Sequence, residues 1–426
     1  MRPGTPGPLI RGLATFVAFV ALLAAVRGAA AQSLAVPPNG IVCTTSADDS
    51  FALTATDGYI SLPDGNSVYM WSFASGTGPF QHPGPVICVD QGDTVTITLS
   101  NTLSQPVSLI FPGQSDVLAN GVPSQPQFSG ATLTSLAPAA PTGGSVTYQF
   151  VANEPGTYLY ESGTNPGVQV QMGLFGAIVV RPAGHPDWVY ADASTAFDPA
   201  HEYLMLLSEI DPYLHMALER GQSYDMGQYR PRYFLINGRS FPDTIAPNGA
   251  AWLPDQPYGA LAHIYPYDPV TNPLPALVRY VGVGSADFPF HPHGNHSRVV
   301  GRDGRPLRGD GGEDLSYEKF SLPIGPGQTW DVTFSWHDAE NFSPSNPIPV
   351  TVPNQQNLFA GAYWSGSPYL GGTGTLPVGG EGYNQCGEYY HVAHNHALTQ
   401  ITSWGLTMSG MMTYTRIDPP EPNSCP

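Results

Sequence analysis

The chain has 426 residues, of which 41% are hydrophobic, 11% aromatic and only 11% charged, with 48 glycines and 45 prolines. That much Gly and Pro excludes a helical bundle, and recurrent Tyr and Phe argue against disorder, so the composition points to an all-β protein rich in turns. A formal net charge of −18, with Lys319 the single lysine, excludes nucleic acid and anionic membrane surfaces as partners and leaves solubility, or attraction of a cation, as the meaning of the acidity.

Residues 1–31 read as a signal peptide. Arg2 and Arg11 precede an apolar stretch from Leu13 to Val26, and Ala29, Ala30 and Ala31 form a small-residue cleavage site, so the mature chain is expected to start at Gln32 and to be secreted or periplasmic. No later stretch is long and apolar enough to span a bilayer. An exported chain with Cys43, Cys88, Cys386 and Cys425 suggests two disulfides, with three connectivities open and a clasp between the termini among them.

From residue 32 onward the pattern is that of strands. Thr94–Leu99 alternates polar and apolar after the Gln91-Gly92-Asp93 turn, and Ser145–Val151, Gly156–Glu161 and Gly176–Arg181 follow as strand candidates. The segment from Pro182 to Ala200 has no sustained period and reads as a linker. Beyond it, strands are expected at Tyr203–Glu209, Tyr233–Ile236, Leu277–Val283, Thr329–Phe334 and Gly387–Val392. Asp211–Arg220 is the one good helix, with Asp as its cap and Pro at its first position. The two halves repeat each other in the same order. QGDTVTITLSN resembles PGQTWDVTFSW, EPGTYLYESG resembles CGEYYHVAHNH, and MGLFGAIVVR resembles MSGMMTYTR, as expected of a duplicated Greek-key β-sandwich. The expected boundaries are 32–183 for the first domain, 184–200 for the linker and 201–426 for the second.

Six of the twelve histidines fall in two clusters, one around His291, His293 and His296 and the other around His391, His394 and His396. Each contains a His-X-His triplet. On a strand, residues i and i+2 share a face, so each triplet aims two imidazoles at one point, and two such strands side by side supply four nitrogen ligands. Imidazole suits copper, zinc, iron or nickel, and a generic nitrogen site favours copper. His291, His293, His394 and His396 are therefore the candidate metal ligands, weighed against a hydrogen-bonded cluster that holds no ion. His391, three residues before His394, should face the other way and serve structure. His82, His185, His201, His215, His263 and His337 read as ordinary surface or hydrogen-bonded residues. Met408, Met411 and Met412 read as core. Asn295 and Asn341 begin glycosylation sequons. No Gly-x-Ser-x-Gly, phosphate-binding or dinucleotide fingerprint stands in a strand–helix context.

These motifs resemble the multicopper oxidase family. GPVICVDQGDTVTITLSN is similar to the opening of the family's first cupredoxin domain, FPFHPHGNHSRVV to its HPxHxHG motif, and YYHVAHNHALTQITSWGLTMSGMM to its closing HCHxxxH motif with the Gly-Met that follows. The resemblance implies two cupredoxin-like Greek-key β-sandwich domains. In such proteins a type 1 copper accepts electrons and a trinuclear cluster, held by four His-X-His pairs, reduces oxygen. Matched by position, His291, His293, His394 and His396 fall on cluster ligands.

The chain departs from the family elsewhere. The type 1 Cys position is Asn395, its two His positions are Phe288 and, at or near it, Gln400, and only Met408 or Met411 offers an axial ligand. The first-domain pairs read Leu109-Ile110-Phe111 and Glu161-Ser162-Gly163, so Glu161 is the one ligand or general base left there, unless it is an ordinary hydrogen-bonded carboxylate. The expectation is an exported copper-binding protein without a type 1 site. It would hold one or two copper ions (zinc, iron or manganese being alternatives) and act as a reduced oxidoreductase on a small molecule or metal ion. The alternatives are a non-catalytic copper-binding or storage protein and a structural pseudoenzyme. In two-domain relatives the cluster forms between subunits of a trimer, which would bring Glu161 from a neighbouring copy.

Overall fold

The computed structural model describes residues 37–294, 296–337, 348–351, 381–384 and 389–418. The expected signal peptide, Cys386, Cys425, Asn295 and Asn341 lie outside them. The described chain forms two β-sandwiches.

The first is built from β1 (Ser50–Ser61), β2 (Ser67–Ser75), β3 (Val86–Asp90), β4 (Thr94–Asn101), β5 (Ser145–Val151), β6 (Gly156–Glu161) and β7 (Phe175–Arg181). One sheet runs in the order β2-β1-β4-β5 and continues through two short strands, Leu118–Ala119 and Val122–Pro123. The facing sheet places Cys43–Thr44, β3, β7 and β6 side by side. Strict alternation explains the inward faces. In β4 the residues Val95, Ile97 and Leu99 are buried, and in β5 Val146, Tyr148 and Phe150 are, while the residues between them face outward.

The second sandwich contains β8 (Glu202–Ile210), the helix α1 (Pro212–Glu219), β9 (Tyr233–Ile236), β10 (Ala262–Ile264), β11 (Ala276–Gly282), β12 (Phe288–Pro292), β13 (Ser297–Arg302), β14 (Leu322–Ile324), β15 (Thr329–Phe334), β16 (Tyr389–Asn395) and β17 (Met412–Ile417). Its sheets run β9-β8-β11-β15-β13 and β10-β17-β16-β12-β14. Helix α1 starts as its sequence requires, with the Asp211 side chain accepting from the Tyr213 N–H at 3.0 Å and Pro212 in the first turn.

The duplication is visible in the topology. Strand β1 pairs parallel with β4 and β4 antiparallel with β5, and β8, β11 and β15 repeat both pairings. Likewise β3 runs parallel to β7, and β7 antiparallel to β6, as β10, β17 and β16 do. One expected correspondence changes. PGQTWDVTFSW becomes β15, whose counterpart is β5, not β4; alternating strands after a Gly turn look alike whichever edge they join.

Each sandwich buries its own core. A third apolar layer joins Val86, Leu159, Phe175 and Val179 of the first to Leu204, Leu206, Tyr258 and Val281 of the second. The segment expected to be a linker is packed: Val189, Tyr190 and Phe197 are buried against Leu277 and Val300. Its apolar residues follow no period because they sit on 3₁₀ turns and irregular backbone. Of the connectivities left open, the structure shows one pair: Cys43 is bonded to Cys88 within the first sandwich, so neither takes part in a clasp between the termini. Cys43 pairs with Val86 in adjacent strands, which puts the two sulfurs within reach.

Candidate metal centre

The two histidine triplets meet across a strand pair. Strands β12 and β16 are antiparallel, and His291 stands directly opposite His394. The rings of His291 and His293 have their centres 4.5 Å apart, and His396 lies 5.2 Å from His291 and 5.5 Å from His394. His293 and His396 lie just beyond their strands. The His293 N–H donates to Val392 O at 2.9 Å and the His396 N–H to Pro289 O at 2.7 Å, which continues the pairing on either side of the His291–His394 pair. An open depression of about 460 Å³, lined by His291, His293, His296 and Phe320, lies over the cluster.

The hydrogen bonds set the tautomers. His291 Nδ1 donates to Phe320 O at 2.5 Å, and His394 Nδ1 donates to Asn395 O at 2.8 Å. Each ring therefore keeps its Nε2 lone pair, the state in which metal-ligating histidines are held by a backbone carbonyl. The Nε2 atoms of His293 and His394 are 3.1 Å apart. With His394 Nε2 as acceptor, His293 supplies the proton there, and it would have to shift that proton to Nδ1 to ligate through Nε2.

The donor set fits a metal ion. Two nitrogens each about 2.1 Å from one ion lie about 3 Å apart at a right angle, close to the His293–His394 spacing. Among the described residues no three His, Cys, Asp or Glu side chains converge on a single point. The rings of His291 and His394 are turned toward carbonyls and that of His293 toward His394.

Electrostatics favour the neutral form of His293 and His394. Burial, and then the neighbouring His291, His394 and His396, push His293 down to about 4. Burial likewise lowers His394. His391, expected on the far face, borders the cluster. Its ring lies against Gly294, where φ is +92° and a Cβ would stand 2.5 Å from the ring, so only glycine fits there. Burial, with His293 beside it, pushes His391 down to about 4. His296 is exposed, 4.0 Å from Glu318.

Glu161 is not brought to the histidines. It ends β6, opposite Phe175, and exchanges backbone hydrogen bonds with Ile110. Burial pushes its carboxyl up to about 7, with no histidine contributing. Phe320 was not foreseen from the sequence; it acts through its backbone carbonyl, which leaves no residue-type signal. His82 is a correction to the expected surface or hydrogen-bonded histidine. It is fully buried, edge-on to Phe175, and neither ring nitrogen has a partner among the described residues.

Comparison with known proteins agrees with this architecture. Residues 62–185 match the family model described as multicopper oxidase. A multicopper oxidase of Byssochlamys spectabilis is 24% identical over 63% of this chain and 37% of its own length. A copper-containing nitrite reductase of Neisseria meningitidis serogroup B is 32% identical over 29% of this chain and 27% of its own. The matched regions thus span well under half of these relatives. Among solved structures, the blue copper oxidase from Nitrosomonas europaea superposes with a TM-score of 0.58 at 20% identity, over 87% of this chain and 85% of that one, which shows the shared fold. The chain is thus similar to the multicopper oxidase family through residues 62–185 and shares the cupredoxin-type fold of its solved members.

Its divergence is visible where the family resemblance puts the type 1 positions. Phe288 is fully buried, its phenyl ring in the core of the second sandwich. Asn395, also fully buried, donates through Nδ2 to Gln400 Oε1 and to the Met411 sulfur, and its Oδ1 accepts from the Ala397 N–H at 2.8 Å. The positions matched as Cys, His and Met do converge, as a closed amide–amide–thioether cluster. Met411 and Met412 are fully buried.

Proposed function

We propose that this protein is an exported copper protein of the multicopper oxidase family that holds one or two copper ions on His291, His293, His394 and His396 and oxidises a small reductant without a type 1 site. The observation that carries the reading is the cross-strand pairing of His291 with His394, each fixed through Nδ1 to a backbone carbonyl with Nε2 left to ligate. Copper bound there would supply one-electron redox chemistry and Lewis acidity. The chain's own part is to hold the imidazoles in place, to admit a small molecule through the open depression, and to border the site with the Phe320 ring. The amide of Asn395 and the phenyl of Phe288 support the absence of a type 1 copper, which needs a thiolate. Glu161, with a carboxyl that titrates near neutrality, fits a proton carrier for a site completed by a second copy of the chain.

The test is metal content, by mass spectrometry, of copper-loaded and desalted protein beside a His394→Ala/His396→Ala variant. One or two coppers per chain, lost in the variant, together with copper-dependent oxygen uptake on a small phenol, is the expected result. Copper retained without turnover would replace the oxidase with a storage protein. No copper in either form would leave a structural scaffold.

A further inference from the structure

A second cavity of about 550 Å³ opens where β2, α1 and the loop after β16 meet, lined by Asp64, Tyr69, Tyr213, Glu219, Tyr233 and Trp404 among others. Its volume falls within the ~300–1,000 Å³ typical of small-molecule sites. None of the four metal-site histidines lines it.

Trp404 is the residue that local structure does not explain. It sits at the tip of a tight turn, with Ser403 and Leu406 exchanging backbone hydrogen bonds, and both central residues have positive φ, +51° at Trp404 and +84° at Gly405. Such turns select Asn, Asp or Gly at both positions, because a Cβ is strained there. A tryptophan in that place breaks the local rule, and rules are broken most often at functional sites. The indole remains 47% exposed. Its position is nonetheless fixed: the Trp404 N–H donates to Arg232 O at 2.8 Å, and the rings of Tyr213 and Tyr233 lie 5.7 and 5.9 Å from it.

Charge defines the rest of the cavity. Asp64 accepts from the Tyr233 hydroxyl and from the Asn66 amide, both at 2.8 Å, which locks its carboxylate at the wall. Glu219 accepts from the Tyr59 hydroxyl at 2.6 Å through Oε1 only. Asp57 accepts from the Tyr69 hydroxyl at 3.0 Å beside the same wall, and the Arg232 guanidinium lies 6.0 Å from the Trp404 ring. An aromatic shelf with carboxylates at its edge favours a ligand that is flat and positively charged.

We propose that this cavity binds a small aromatic cation, a planar ring carrying a protonated amine, with the ring against Trp404 and the ammonium at Glu219 and Asp64. The site is separate from the histidine cluster and needs no metal.

Isothermal titration calorimetry with tryptamine, indole and indole-3-acetate tests the assignment. Tryptamine should bind at one site per chain, indole more weakly and indole-3-acetate most weakly. Glu219→Gln should weaken tryptamine about five-fold, the size of an exposed ion pair, and leave indole unchanged. Trp404→Gly, which suits the turn's positive φ, should abolish binding of both in a protein that remains folded. The His394→Ala/His396→Ala variant should bind tryptamine as the wild type does, which separates this site from the metal reading. Equal affinity for tryptamine and indole-3-acetate, unchanged binding in Trp404→Gly, or no saturable heat with tryptamine would overturn the proposal.

Discussion

The Asn395 amide nitrogen lies 3.3 Å from the sulfur of Met411 while also donating to Gln400. This buried contact joins positions that a type 1 copper site would use. If the positional match is right, restoring the ligands should restore the site. The Phe288→His/Asn395→Cys/Gln400→His variant, loaded with copper, is expected to show the intense blue absorption of a Cys-thiolate copper site. The wild type, loaded the same way, should show none. A colourless variant that binds copper would mean that these positions do not converge as a ligand set.

His82 should make the protein sensitive to acid. Its ordinary value of 6.5 is pushed down to about 3, first by burial and then by the neighbouring His215. The unfolded chain therefore takes up a proton at His82 below pH 6.5 that the folded chain refuses, so stability is full above 6.5 and falls as pH drops toward 3. At pH 5 the loss from this residue is about 2 kcal/mol. His82→Leu should show a smaller drop in melting temperature between pH 7.5 and pH 5 than the wild type. Parallel losses in the two proteins would refute the assignment.

The two sandwiches share a buried ion network. Arg279 of β11 donates to Glu202 at 2.7 Å, to Asp331 at 3.3 Å and to the Thr157 hydroxyl of the first sandwich at 3.0 Å. Arg181 and Tyr190 close the outer sides, at 2.7 Å from Glu202 and Asp331 respectively. Arg279→Met would leave Asp331 without a cation in the interior and should cost about 3–5 kcal/mol in urea unfolding. A cost below about 1 kcal/mol, the range of surface pairs, would show that water reaches the network.

The Cys43–Cys88 bridge spans 45 residues of sequence. Closing a loop of that length restricts the unfolded chain by about 4 kcal/mol. Cys43→Ala/Cys88→Ala should therefore unfold at clearly lower denaturant concentration. Its copper content should be unchanged, because the histidines stand on β12 and β16 of the other sandwich.

Much of this protein was legible in its sequence because the relevant signals are local and periodic. Alternation in Thr94–Asn101 and Ser145–Val151 set strand type and inward face together, since side chains on a strand alternate with a period of two. His-X-His carried the metal reading for the same reason, as spacing by two puts both imidazoles on one face. Asp211-Pro212 announced its helix through capping chemistry that spans only three residues. Tertiary structure alone decided what depends on neighbours distant in sequence. Only the register of β12 against β16 sets His291 opposite His394, and only a carbonyl from Phe320, 29 residues away, places the His291 proton on Nδ1. The partner of β15 in the repeat, the burial of a His82 ring with no hydrogen-bond partner among the described residues and the seat of Trp404 between two tyrosines follow the same logic. Hydrogen bonding and desolvation are properties of the assembled surroundings, and no residue carries them by type.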